Sequence, residues 1–453
     1  MHVVERFAAY ATGFRTQAIP ADALHHAKRV VIDWYAALLP GAVVAPATLL
    51  ELARAEDLDR GRARLALGRA ATARAAALIN GTAAHTAEVD DIFKFGIYHP
   101  GAPTISAAFA AAQDVGASGT AFLRAVIVGY EISTRIGAAM GRAHYRYWHN
   151  TGTIGSFGAA AAAAELYGLD AKRYAHALAT VATFAAGLQQ AFRMDSMSKP
   201  LHAGHAAEAG LLAAQAAREG VTGSLDVIEG EAGIGRAMSD GPDWDQALAT
   251  LGQVFHVTQM TVKNHACCGH TFAPIDGALE VQRSLGVKAG DIARVRVGTY
   301  RPALEVAYYD HPTTPAEARF SLKYVVATAL THGSVRLAAF EPQRLADPLT
   351  RALMEKIELA VDPELDATFP GQRAARVTIE TRDGRRGEYL QPARKGDPEL
   401  PLDDRELEDK FLELASPVIG DAKARALVAQ LWTLERAADL SGLAASGQVS
   451  SAR

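Results

Sequence analysis

The chain has 453 residues, of which 49% are hydrophobic and 21% charged, with a formal net charge of −4. Such a length exceeds one ordinary domain and buries a large core, and the slightly acidic balance excludes a basic nucleic-acid surface. No apolar run approaches the roughly 20 residues that span a bilayer, and MHVVERFAAYATGF (1–14) lacks the basic head and apolar block of a secretion signal.

In chain order, the text to about residue 265 is helical. PADALHHAKRVVIDWYAALL (20–39), SGTAFLRAVIVGYEISTRIGAAM (118–140) and AAEAGLLAAQAAREG (206–220) place apolar residues three and four apart. The alanine block GAAAAAAEL (158–166) favours helix and lets neighbouring helices approach closely. The period changes near residue 290. ARVRVGTY (293–300) alternates like a half-buried strand, and RVTIETRDGRRGEYL (376–390) predicts a hairpin turning at Asp383-Gly384. SLKYVVATALTHG (321–333) is helical again, as are DDRELEDKFLELA (403–415) and AKARALVAQLWTLERA (422–437). The expectation is a mainly α protein. It has a large all-helical domain, 1–265 plus 399–446, and a smaller α+β domain, 266–398. A disordered tail, 447–453, follows.

Five stretches put polar groups into apolar surroundings. HTAEVDDIFKFGIYHPG (85–101) gathers Glu88, Asp90, Asp91 and His99. Adjacent acids point to different sides of a turn, so only one of Asp90 and Asp91 faces a given cavity. The plainer reading is that they cap the next helix. His99, before Pro-Gly, is held in a turn, where an imidazole suits proton transfer or simply packs. GRAHYRYWHNTGTIGSFG (141–158) crowds His144, Tyr145, Tyr147, Trp148 and His149 ahead of a helix start carrying Thr151 and Thr153. Such a start attracts anions, and an aromatic packing cluster is the alternative. In FRMDSMSKPLHAGHAAEAG (192–210), Lys199 precedes Pro200 and so is expected in extended or turn geometry, beside Arg193. It would bind a carboxylate, or serve only as a loop cation. His265, Cys267, Cys268 and His270 superficially suggest zinc. Adjacent cysteines do not both reach one tetrahedral ion, and they fit buried free thiols of a reducing, cytoplasmic setting better. Tyr324, opening the helix at 321–333, would face a cleft or fill the core.

Taken together these blocks resemble the MmgE/PrpD family of 2-methylcitrate dehydratase, cis-aconitate decarboxylase and iminodisuccinate epimerase. The resemblance runs from about residue 5 to 440. It is carried by VDDIF…HPGAP (89–103), GYEISTRIG (129–137), HNTGTIGSFGAAAAAAELYGLD (149–170), SKPLHAGHAAEAG (198–210), CCGHTFAPID (267–276) and ARFSLKYVVATAL (318–330). It implies a helical body with an α+β lid, a site between them, a homodimer, and no metal or organic cofactor. It further implies that His99, His149, Lys199 and Tyr324 line a pocket for a small-molecule carboxylate substrate; the charge balance and the lack of a long apolar run lead us to expect no nucleic-acid or membrane partner. Asp90 and Asp91 match the later acids of the family's DFDD-like run. Glu88 stands where the decarboxylase uses aspartate, Ile92 where a Thr or Ser is common, and Phe272 where dehydratases have histidine, with His270 two positions earlier. Tyr145 matches a suggested acid/base of the epimerase branch.

The family's reactions break a C–H or C–C bond alpha to a carboxylate. Cations and donors must therefore face the developing charge, and a base must reach the proton. The expected catalytic set is His99, His149, Lys199, Tyr145, Tyr324 and Asp90, the last orienting a histidine. Lys199, Thr151, Thr153, His270, Asp91 and Glu88 would bind substrate. The reading places a dehydratase of a 2-methylcitrate-like acid first, with an epimerase or a decarboxylase as alternatives. An inactive scaffold and a metal-dependent lyase using Asp90, Asp91 and His99 are the remaining classes.

Overall fold

A computed structural model describes residues 1–192, 196–369 and 371–443. The expected tail at 447–453 and Arg193 lie outside the described residues. Contacts divide the chain into two units, Met1–Val262 with the segment from Asp403 on, and Lys263–Leu402.

The larger unit is built from helices α1 (Val3–Phe14), α2 (Ala21–Ala42), α3 (Ala47–Ala53), α4 (Ala73–Thr86), α5 (Gly101–Val115), α6 (Gly119–Tyr145), α7 (Asn150–Leu166), α8 (Ala171–Ala182) and α9 (Ser198–Arg218), joined by a later helix, Asp404–Ile419. Short side chains fix the starts: Thr72 accepts from the amide of Ala75, Ser118 from Ala121 and Asp170 from Arg173. Helix α7 is the centre, buried from Asn150 to Glu165, and packs against α5, α6, α8 and α9. Its small residues permit this. A Cβ added at Gly158 would sit 2.3 Å from Thr104 Oγ1, and one added at Gly210 would sit 2.5 Å from Ala159 Cβ. No single described helix is long and apolar enough to cross a membrane.

The unit is not wholly helical. Strands β1 (Leu58–Arg64) and β2 (Ala70–Ala71) form an antiparallel pair. Their Arg- and Ala-rich sequence has little intrinsic strand preference, so tertiary pairing decides.

The smaller unit carries a four-stranded sheet of order β4-β3-β5-β6. Strand β3 (Ile292–Thr299) pairs parallel with β4 (Ile357–Val361) and antiparallel with β5 (Ala375–Thr381), which returns through a turn into β6 (Arg386–Gln391). Gly384 at that turn has φ of 86°, a conformation open to glycine at no steric cost. The helix Phe272–Leu285 covers one face of the sheet, where Gly277 lets it approach Val377 and Gln391.

Candidate functional site

The segment between α4 and α5 is an irregular loop held at several points. Ile92 and Thr261 exchange both backbone hydrogen bonds, at 2.9 and 2.8 Å, and Phe93 pairs with Tyr98. Lys410, on the Asp404–Ile419 helix, donates to the Val89 carbonyl at 2.7 Å and to Asp33 at 2.5 Å, all in the interior. The loop contains two non-glycine residues with left-handed backbone, Glu88 at φ 59° and Ile97 at φ 52°. Such conformations cost energy and persist where surrounding structure imposes them, often at functional sites.

The two adjacent aspartates diverge. Asp91 faces the helix start: its carboxyl accepts from the Gly101 amide at 3.0 Å and lies 2.8 Å from the Tyr130 hydroxyl. Burial, together with the charges of Asp33 and Asp90, raises its pKa to about 8. Asp90 faces imidazoles. His85 Nδ1 is 2.7 Å from its Oδ2, and His99 Nδ1 is 3.3 Å from the same oxygen. Burial opposes the charge of Asp90, but the His99 and His85 rings outweigh it and hold the carboxyl well below its ordinary pKa. An ionised carboxylate only accepts, so His85 donates from Nδ1, which leaves Nε2 as the ring nitrogen turned away from Asp90. That nitrogen is buried without a hydrogen-bond partner among the described residues.

Two more imidazoles complete the group. His149, just before α7, stacks on His85 with centroids 5.4 Å apart, and its Nδ1 lies 3.0 Å from His202 Nδ1. His99 meets His85 edge-on at 4.8 Å. Burial and then the charges of His85, Lys199 and His202 push His149 well below its ordinary pKa. Burial and His85 lower His202 to about 4. Both rings are therefore neutral near pH 7. Lys199 pairs with Glu88 at the edge of this group, both side chains partly exposed.

The structure thus brings His99, His149, Asp90, Glu88 and Lys199 together, and Asp91 joins them from behind. Lys199 is not in extended backbone, as its place before proline suggested. It lies in the first turn of α9, where the missing amide of Pro200 has no intrahelical partner to lose. Thr151 and Thr153 are buried supports: Thr151 Oγ1 accepts from the His99 amide at 3.2 Å, and Thr153 Oγ1 is 2.6 Å from His144 Nε2. Tyr145 is half-buried at the end of α6, beyond a break at Gly141, and makes no side-chain hydrogen bond among the described residues.

His270 and Tyr324 belong to the smaller unit. His270 Nδ1 is 2.9 Å from the Tyr300 hydroxyl. Tyr324 is fully buried and donates its hydroxyl to the Ala339 carbonyl. Cys267 and Cys268 are free thiols. Burial pushes Cys267 up to about 12, far from a reactive thiolate.

His85 and His202 had no role in the sequence reading, and both are central. His85, Asp90 and His99 each offer a ligand atom, all within 4.8 Å of one another, which would suit a divalent cation. The 2.7 Å contact between His85 and Asp90 is equally the length of a charge-assisted hydrogen bond with a proton between the two atoms. Without any metal the arrangement anchors two rings on one carboxylate and sets a cation beside them, the components of proton chemistry on an anionic molecule.

Comparison with known proteins matches both parts of the chain to one family. Residues 5–247 match the model of the MmgE/PrpD N-terminal domain, and residues 265–434 that of the C-terminal domain. The chain is 30% identical to the cis-aconitate decarboxylase-like protein oryM of Aspergillus oryzae, over 96% of this chain and 95% of that protein. It is 27% identical to the cis-aconitate decarboxylase of Homo sapiens over 81% and 78%. It is 30% identical to the 2-methylcitrate dehydratase of Salmonella typhimurium over 26% of each chain.

Proposed function

The chain belongs to the MmgE/PrpD family, and from that premise we propose that it is a lyase acting alpha to a carboxylate of a citrate-like tricarboxylic acid, with decarboxylation of a cis-aconitate-like substrate as the first reading. What carries the proposal is the imidazole group on Asp90 with Lys199 beside it. The near full-length similarity to cis-aconitate decarboxylases supports the reaction. Dehydration of a 2-methylcitrate-like acid is the second reading, supported by the shorter similarity to a dehydratase.

In the proposed reaction Lys199 exchanges its Glu88 partner for a substrate carboxylate. The C–C bonding pair stays on the alpha carbon as CO₂ leaves, and that carbon takes a proton from an imidazolium of the group. Asp90 holds His85 in one tautomer and stabilises positive charge on His85 and His99. Glu88 is one methylene longer than the aspartate that the family resemblance places there, so it reaches Lys199 from a strained backbone position.

The experiment is incubation of the purified protein, with and without EDTA, with cis-aconitate and with 2-methylcitrate in D₂O, followed by NMR. Loss of CO₂ with one deuteron gained supports decarboxylation, and loss of water supports dehydration. Exchange without net loss would indicate an epimerase. No change in any acid refutes the lyase reading, and activity abolished by EDTA would transfer the site to metal chemistry.

A further inference from the structure

We infer that His202 is a proton-relay residue that carries solvent protons to His149. The inference rests on the decarboxylase reading above. Loss of CO₂ leaves an electron pair on carbon, and one proton from water must replace the lost carboxylate in every turnover. Dehydration has no such net demand, because the proton taken from carbon leaves with the hydroxide.

The structure provides a route for that proton. His149 is almost wholly buried, whereas His202 on α9 is only partly buried. Their Nδ1 atoms face each other at 3.0 Å, so one ring donates while the other accepts. A proton passing along this contact enters the interior without opening the site to bulk water.

The surroundings are shaped around the pair. Gly187, at φ 130°, accepts from the His149 amide at 2.9 Å, and a Cβ there would sit 3.1 Å from His202 Nδ1. At Gly152 a Cβ would lie 3.0 Å from His202 Cβ. The first would press on the ring and the second on the base of the same side chain. Among the described residues, charged and titratable groups facing the pair include His85, His99 and Lys199 around His149, and His85, His205 and Lys199 around His202. His202 acts through His149 and does not itself need to touch substrate.

The test compares the wild type with His202→Ala and His202→Gln on cis-aconitate. Both variants should keep KM within two-fold while kcat falls at least ten-fold, and added imidazole should restore much of kcat to His202→Ala. Wild-type kcat in the variants, or a loss that imidazole leaves untouched, overturns the relay. A second readout is independent of turnover. In protein labelled with ¹⁵N-histidine, exchange of the His149 ring proton with water should slow at least ten-fold in His202→Gln. Unchanged exchange overturns the relay even if the wild type converts neither acid, a result that would by itself remove the lyase reading.

Discussion

Asp91 offers the sharpest test of the electrostatics behind the site. Its carboxyl is buried, flanked by the charges of Asp33 and Asp90, and raised to about 8 from an ordinary value near 3.8. The folded state therefore holds a proton that the unfolded chain has released. A raised acid contributes its stability fully below the unfolded pKa and loses it as pH rises toward the folded one. Across that window the slope is about 1.4 kcal/mol per pH unit, so by pH 7 the cost reaches about 4 kcal/mol. Asp91→Asn needs no proton. Its carbonyl still accepts from the Gly101 amide, while its amino group requires the Tyr130 hydroxyl to turn, at a cost of about 1 kcal/mol. The variant should therefore be slightly less stable than the wild type at pH 4 and about 3 kcal/mol more stable at pH 7. Urea unfolding at pH 5, 6, 7 and 8 measures this. A difference between the two proteins that does not change with pH refutes the reasoning.

Other expectations follow from the same packing. Lys410→Met strips a buried ammonium from Asp33 and a donor from the Val89 carbonyl, and should cost about 3–5 kcal/mol in urea unfolding, with most of the loss recovered in Lys410→Met/Asp33→Leu. Gly158→Ala drives a Cβ to 2.3 Å from Thr104 Oγ1 and 2.8 Å from Ser133 Oγ, and should cost about 1–3 kcal/mol. Gly13→Ala on α1, where nothing lies within 4 Å, should gain up to about 1 kcal/mol in the same measurement. Lys199→Ala should lower kcat/KM on the substrate at least about 1,000-fold without changing the thermal midpoint, since Lys199 and Glu88 are partly exposed and their pair adds little to folding.

The helices and the hairpin were legible because their periods and turn residues agree with the tertiary structure. Strand β4 was not, because IELAV is five residues between helices and its neighbour β3 lies far back in the chain. Strands β1 and β2 use residues that favour no strand. In the site, the divergence of Asp90 and Asp91 followed from their adjacency, and His99, His149 and Lys199 lay in conspicuous polar segments. His202 escaped because Pro200 made Lys199 read as extended. Once Lys199 is placed in a helix, the three-residue spacing to His202 puts both on one face. His85 escaped because a histidine near a helix end reads as packing, and only the return of the loop brings Asp90 onto its ring.

On the proposed function, imidazoles held by Asp90 perform proton chemistry on a tricarboxylate. The direct measurement is the rate of CO₂ release and deuterium uptake from cis-aconitate in D₂O by the wild type and by Asp90→Asn. The wild type should gain one deuteron per CO₂ released, and kcat should fall at least about 100-fold in the folded variant. A wild type that leaves cis-aconitate untouched, or an Asp90→Asn protein with undiminished kcat, contradicts that function.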